Sequence, residues 1–187
     1  TGKSSYGAFS PKLGIQFQPT AQQLMYLSFS RGFRSGGLTS ISSDPSQVPL
    51  AAYNPEFSNM FEAGIKGKDK NNKFRYAIAA FYNKVIDIQT PFLVLPDAVT
   101  IIKNAGEMNA WGLEAEMEVK LAKGLSFQYS GGLTSAKYAV LGVVSNGAQV
   151  DLSGNKQVFT PSSTNYFATE YQTSIAAHEL MFRLEYN

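Results

Sequence analysis

Apolar and polar residues alternate with a period of two along much of the chain. The pattern is clearest in residues 107–121, where every second position from Trp111 onward is apolar and the positions between carry Glu114, Glu116 and Glu118. The apolar set consists of Trp111, Leu113, Ala115, Met117, Val119 and Leu121. A β-strand places two such sets on opposite faces, whereas a helix would scatter them around its circumference. The alternation therefore predicts a strand with one apolar and one charged face.

The same pattern predicts about eight strands along the chain. They cover residues 9–18, 23–34, 57–67, 73–89, 107–121, 125–138, 165–172 and 179–187. Short connections (19–22, 68–72, 122–124 and 173–178) alternate with long ones (35–55, 90–105 and 139–161). Long strands with tight turns at one end and long loops at the other are typical of transmembrane β-barrels, with the turns periplasmic and the loops outside. The predicted fold class is all-β, an antiparallel up-and-down meander.

The composition agrees with this pattern but does not separate a membrane protein from a soluble β-sandwich. Charged residues make up 16% of the chain, below the roughly 25% of soluble domains. Aromatic residues make up 13%, and the mean hydropathy is -0.14. A net charge of +2 without a long basic run argues against a nucleic-acid-binding surface. The absence of cysteine excludes disulfides and thiolate metal sites, and no apolar stretch approaches the roughly 18 residues of a membrane-spanning helix.

The polar sides of the predicted strands are unusually rich in charge. The residues expected to face inward are Glu62, Lys66, Glu114, Glu116, Glu118 and Arg183. In a wide barrel they would line a hydrated lumen or meet a polar plug, and in a small sandwich they would face water. Glutamates opposite arginines or lysines on neighbouring strands would add cross-strand pairs.

Several short motifs occur in a fixed order between residues 10 and 138. They are Ser10-Pro11-Lys12, Ser30-Arg31-Gly32-Phe33-Arg34-Ser35-Gly36-Gly37, Tyr53-Asn54-Pro55-Glu56, Glu62-Ala63-Gly64-Ile65-Lys66-Gly67, Ala79-Ala80-Phe81-Tyr82, Asn104-Ala105-Gly106 and Gly112-Leu113-Glu114-Ala115-Glu116. Each is weak alone, but together, in this order and spacing, they resemble the C-terminal part of the barrel of TonB-dependent outer-membrane receptors.

The resemblance implies that residues 1–187 are part of a transmembrane β-barrel of about 22 strands with a plugged lumen. It implies a receptor in the outer membrane that binds a scarce nutrient, most often a ferric siderophore, and imports it with energy supplied by TonB. The implied partners are outer-membrane lipid, the receptor's own plug domain, the TonB complex and the siderophore or another nutrient. Since a signal peptide and a terminal aromatic residue are both missing from the sequence, we expect a fragment of a longer receptor.

Five residues near the predicted strand ends and loops are candidates for ligand contact. Arg31 and Arg34 lie where a strand leaves the membrane, a position suited to anionic lipid headgroups or to an acidic ligand. Tyr53, Phe92 and Phe159 are aromatic residues in the long connections, which by the resemblance would form the outer vestibule. The alternative for the arginines is simple placement at the rim, and for the aromatics mobile loop surface.

Nothing in the sequence supports catalysis. His178 is the only histidine, and no phosphate loop, dinucleotide fingerprint or metal-ligand cluster is present. We therefore expect no enzyme activity, no cofactor and no metal site. The alternative function is a small structural or adhesive outer-membrane barrel of about eight strands. Such a barrel would be closed by pairing between the first strand, around Leu13, and the last, around Phe182.

Overall fold

The computed structural model describes residues 5–39, 51–94, 99–145 and 148–187, and these residues form strands and turns. They include no helix that could cross a membrane. In chain order the strands are β1 (Lys12–Thr20), β2 (Gln23–Arg34), β3 (Gly37–Thr39), β4 (Ala51–Tyr53), β5 (Glu56–Lys68), β6 (Phe74–Ile86), β7 (Gln89–Val94), β8 (Val99–Asn104), β9 (Gly106–Ala122), β10 (Leu125–Ser145), β11 (Ala148–Asp151), β12 (Ser163–Ile175) and β13 (His178–Tyr186).

Eight long strands form one antiparallel sheet in the order β1-β2-β5-β6-β9-β10-β12-β13. Successive long strands are neighbours in the sheet, which confirms the predicted all-β meander. Strands β1 and β13 lie at its two edges, and no described residue of one pairs with the other. The sheet is therefore open, and the closed eight-stranded barrel considered from the sequence is not the arrangement found.

Several strand ends differ from the prediction, most of them by one to three residues. Strand β1 runs to Thr20 and includes Pro19, with a shift of register between Phe17 and Thr20. Proline is tolerated there because Pro19 lies within this irregularity, where its missing N–H interrupts no regular ladder. Strand β10 continues to Ser145 and reaches 21 residues, well past the predicted end at residue 138.

The three long connections contain strands that the sequence interpretation treated as loop. Strand β3 pairs with β4, β7 with β8, and β11 with the outer end of β10. In β7 and β8 the sequences QTPFLV and VTIIKN are rich in β-branched and apolar residues, which favour strands. The prediction of loop was wrong for these parts of residues 35–55, 90–105 and 139–161.

The register divides the sheet into two faces, because directly paired residues share a face. One row across β2, β5, β6 and β9 consists of Met25, Ile65, Ile78 and Ala115, and the adjacent row consists of Leu24, Lys66, Ala77 and Glu116. We call the side of the first row the apolar face and the side of the second the polar face. The register places Glu62, Lys66, Glu114, Glu116, Glu118 and Arg183 together on the polar face.

The sheet is a single layer with almost no core. The buried hydrophobic residues among those described are Val85, Ile101, Ala110, Ala136, Leu141 and Ala168. By contrast, Phe17 is 63%, Trp111 57% and Phe182 61% exposed. A soluble sandwich would cover such a face with a second sheet, and the described chain supplies none.

Candidate functional site

Ion pairs and hydrogen bonds connect the strands across the polar face. Arg183 on β13 lies 3.0 Å from a Glu170 carboxylate oxygen on β12 and donates to the Tyr166 hydroxyl at 2.8 Å. It also contacts Glu185 on its own strand. Arg75 and Glu118, paired across β6 and β9, are 3.8 Å apart. The predicted cross-strand pairing of opposite charges is therefore present on this face.

Tyr26 and Glu62 form a second polar contact, between β2 and β5. The Tyr26 hydroxyl donates to a Glu62 carboxylate oxygen at 2.6 Å. The ring lies over Gly64, where an added Cβ would be 2.5 Å from ring atoms. The glycine of the Glu62-Ala63-Gly64 motif thus leaves room for the tyrosine ring, which a side chain at this position would displace.

A concavity of about 590 Å³ opens on the polar face toward the short-turn end of the sheet. The charged and hydroxyl groups in its wall include Lys66, Lys68, Arg75, Glu116, Glu118 and Tyr166. A wall with both signs of charge suits a polar surface docked against it better than an apolar ligand. Among the described residues no group of histidine, cysteine or carboxylate side chains could hold a metal ion.

Gln89 and Asn104 join the strand ends at the long-loop end, which we call the outer end. The backbone N–H of Gln89 donates to Glu56 at 2.7 Å, and its side-chain amide donates to the carbonyls of Ser35 at 2.9 Å and Asn54 at 3.1 Å. Gln89 is only 8% exposed. Asn104 accepts from the Asn54 N–H at 2.6 Å and donates back to the Asn54 carbonyl at 2.9 Å. These contacts tie the bases of the hairpins β3–β4 and β7–β8 together.

Gly106, at the start of β9, is fixed by close contact with β10. Its φ is +150°, and an added Cβ would lie 1.9 Å from the Val140 carbonyl oxygen. The register of β9 and β10 shifts between Tyr138 and Val140, so the backbone of β10 bulges against the glycine. The Asn104-Ala105-Gly106 motif therefore builds the outer end of the sheet. Sequence reasoning identified the motif but missed its partner Gln89, which no pattern singles out.

The two candidate arginines lie on opposite faces. Arg34 pairs with Glu56 on the polar face, whereas Arg31 pairs with Asn59 on the apolar face. The Arg31 guanidinium stacks on Phe57, 4.3 Å from the ring centroid. Residues separated by an odd number of positions along a strand point to opposite faces. A single ligand in the vestibule therefore cannot contact both arginine side chains.

The three candidate aromatics occupy different environments. Tyr53, on β4, is half-buried and packs on Gly37, where a Cβ would be 2.5 Å from the phenol oxygen. Phe92 is half-buried on β7 opposite Ile101. Phe159 is fully exposed, with a φ of 58°, which is unfavourable for a bulky side chain. The structure does not bring these three together, and ligand contact by any of them stays a prediction.

Two carboxylates are held ionised by hydrogen bonds, Asp69 in the turn after β5 and Asp151 at the end of β11. The backbone N–H of Phe74 donates to Asp69 at 2.8 Å and that of Asn71 at 3.0 Å. These bonds lower the pKa of Asp69 from its ordinary value of 3.8. Hydrogen bonds from the side chain and backbone of Ser153 likewise lower the pKa of Asp151. These hydrogen bonds favour the charged form of each carboxylate. They stabilise a turn and do not create a reactive group.

An antiparallel meander with one apolar face and one charged face, single-layered over the part of the chain that the structure describes, is typical of the wall of an outer-membrane β-barrel. Residues 1–186 match the family described as TonB dependent receptor-like, beta-barrel. The chain belongs to this family, and its membrane is the outer membrane of the Gram-negative cell. The assignment agrees with the expectation that the chain is not an enzyme.

Solved structures share this fold. The ferric yersiniabactin uptake receptor FyuA from Yersinia pestis matches with a TM-score of 0.73 and 19% identity, over 93% of this chain and 24% of that one. The siderophore receptor PiuA from Acinetobacter baumannii matches with 0.66 and 21%, over 87% and 23%. The ferripyoverdine receptor of Pseudomonas aeruginosa matches with 0.63 and 21%, over 92% and 21%. The chain thus spans about a quarter of the length of these receptors.

Proposed function

We propose that the chain is part of the barrel domain of a receptor that binds a ferric siderophore at the cell surface and imports it with energy supplied by TonB. Membership of the TonB-dependent receptor-like family carries the proposal. The similar solved structures are named as receptors for ferric yersiniabactin, a siderophore and ferripyoverdine, which supports this class of solute.

We infer that the polar face lines the lumen of a barrel of about 22 strands and meets the receptor's own plug domain. Its ion pairs and the concavity of about 590 Å³ support this placement. A plug would cover charges such as Lys66 and Glu116, which otherwise lie on an open surface. The apolar face then meets outer-membrane lipid.

The outer hairpins supply the vestibule in this proposal. Gln89 and Asn104 hold the bases of β3–β4 and β7–β8 in a fixed relation, so the described strands of these hairpins keep defined positions. Arg34 on the polar face is the arginine placed to meet an acidic ligand. Tyr53 and Phe92 stand on these hairpins, and Phe159 lies in the connection before β12.

The proposal is tested by measuring iron uptake in cells grown under iron limitation. A strain lacking the full-length gene should lose uptake of radioactive iron from one member of a panel of ferric siderophores. The wild-type gene should restore that uptake, and deletion of TonB should abolish it again. Undiminished uptake from every siderophore in the mutant would contradict the proposed substrate class, and uptake that survives loss of TonB would contradict the energy source.

A further inference from the structure

A basic row crosses five strands on the apolar face near the outer end. The register aligns Arg31 with Asn59, Asn59 with Lys84, Lys84 with Asn109, and Asn109 with Lys137. Cations therefore occupy every second strand, with amides between them. Neighbouring strands lie about 4.8 Å apart, so successive cations of the row are about 10 Å apart.

An aromatic row lies directly below the basic row, toward the short turns. It consists of Phe29, Phe61, Tyr82 and Trp111, which are aligned across β2, β5, β6 and β9. Aromatic residues on the lipid-facing side mark the membrane interface of barrels. The basic row is two residues further out along each strand, roughly 7 Å, which is the depth of lipid headgroups.

The charges of the basic row are poorly compensated. Lys84 pairs with Glu107 at 2.8 Å, but Lys137 lies directly opposite Lys156, and like charges in that relation repel. The buried Nε of Arg31 has no hydrogen-bond partner among the described residues. Among the described residues the three cations of the row, together with Lys156, thus face one carboxylate, that of Glu107, and an anion between the strands would stabilise this arrangement.

We propose that the basic row binds the phosphate groups of a phosphorylated glycolipid in the outer leaflet of the outer membrane. Arginine and lysine are the side chains that bind phosphate through charge-assisted hydrogen bonds. Asn59 and Asn109 add amide donors between them, and the amide of Asn109 is positioned by the Tyr82 hydroxyl, which donates to its oxygen at 2.9 Å. The inference does not depend on which solute the receptor transports.

The experiment uses the full-length receptor in detergent micelles, titrated with lipid A carrying its phosphates and with dephosphorylated lipid A. The test variant combines Arg31→Gln, Lys84→Gln and Lys137→Gln. The control combines Lys70→Gln, Lys73→Gln and Lys123→Gln, which remove the same charge at the short-turn end. Each cation near an anionic surface contributes about fivefold in affinity, so we expect the test variant to bind phosphorylated lipid A at least about tenfold more weakly and the control to be within about twofold of wild type.

Three results would overturn the proposal: equal affinity of the test variant and wild type, equal binding of dephosphorylated lipid A, or full displacement of lipid A by inorganic phosphate, which would mean a site for the free anion. Heat-dependent mobility in gel electrophoresis checks that each variant is folded. If the triple variant does not fold, Lys137→Gln alone changes an exposed side chain and keeps the test available. A Lys84→Arg/Lys137→Arg variant should retain binding, and its loss would show that charge is not the determinant.

Discussion

Gly106 and Asn104, two residues apart, hold the outer end of the sheet by different means. Gly106 admits the bulged backbone of β10 because it has no Cβ. Asn104 joins neighbouring segments through side-chain hydrogen bonds with Asn54 and to the Asp87 carbonyl at 2.8 Å. At this scale the motif is explained by backbone geometry, without a ligand.

Replacing Gly106 with alanine should disrupt the start of β9. The new Cβ would meet the Val140 carbonyl oxygen at 1.9 Å, and the φ of +150° disfavours any L side chain. We expect a loss of about 2 kcal/mol or more in unfolding free energy, measured by denaturant unfolding of the full-length receptor. Gly142→Ala is the matched control, because a Cβ at Gly142 has no atom within 4 Å. Equal stability of the two variants would refute this account.

The turn between β5 and β6 shows how a short segment fixes a hairpin. Asp69 accepts two backbone N–H groups, and Asn72 has a φ of 52°, a conformation that asparagine tolerates better than most residues. Sequence reasoning predicted this turn correctly, since Asp, Asn and Lys interrupt the alternation there.

This turn should loosen in acid. The pKa of Asp69 in the folded protein lies below its ordinary value of 3.8. Its contribution to the stability of the turn is therefore complete above the ordinary pKa and is lost as the pH falls through the lower pKa of the folded protein. The protection of the Asn71 and Phe74 amides against hydrogen exchange, measured relative to the intrinsic exchange rate at each pH, should fall over that acidic range. In Asp69→Ala the exchange should be fast from the start and should show no such pH-dependent step. An identical pH profile in both proteins would count against the role of the carboxylate.

Strand β9 gives the sharpest test of the two faces. Leu113 is 49% exposed on the apolar face, and Glu114 follows it on the polar face. Spin labels at these two positions of the full-length receptor should differ strongly, with the label at 113 relaxed by lipid-soluble oxygen and the label at 114 shielded from it. Equal accessibility would mean that the register or the lipid-facing side is misassigned.

Alternation alone was sufficient to predict the eight long strands, because the sheet is a single layer in which each strand has one apolar and one polar face. It failed for β7 and β8, where Val, Ile and Thr continue without a polar partner set and Pro91 resembles a loop residue. The sequence placed Arg31 at a strand end, but neither its face nor its cross-strand neighbours could be predicted. Asn59, Lys84 and Lys137 are far apart in sequence, and only strand register aligns them.

At the scale of the whole molecule, the open sheet leaves both its edges and its apolar face without partners. Unpaired strand edges and exposed residues such as Phe61, at 50% exposure, invite association between copies. We therefore expect the 187-residue chain, produced by itself, to sediment as aggregates in buffer and to be dispersed by detergent. A monodisperse monomer in detergent-free buffer would contradict the single-layer arrangement.

Strand β10, with 21 residues, is long enough to project beyond the membrane surface. From Ser135, in the row of Trp111, to Ser145 the strand rises roughly 30 Å, and β11 pairs beside its outer end. The paired ends of β10 and β11 should therefore project beyond the lipid surface. Large particles that approach the cell, such as bacteriophages or antibodies, should contact this part of the receptor first. An antibody against residues 148–151 should bind intact, unpermeabilised cells, and staining only after permeabilisation would show that the hairpin is hidden. Substitutions in residues 148–151 would then change the surface that the receptor exposes to the surroundings of the cell without changing the strands of the barrel wall.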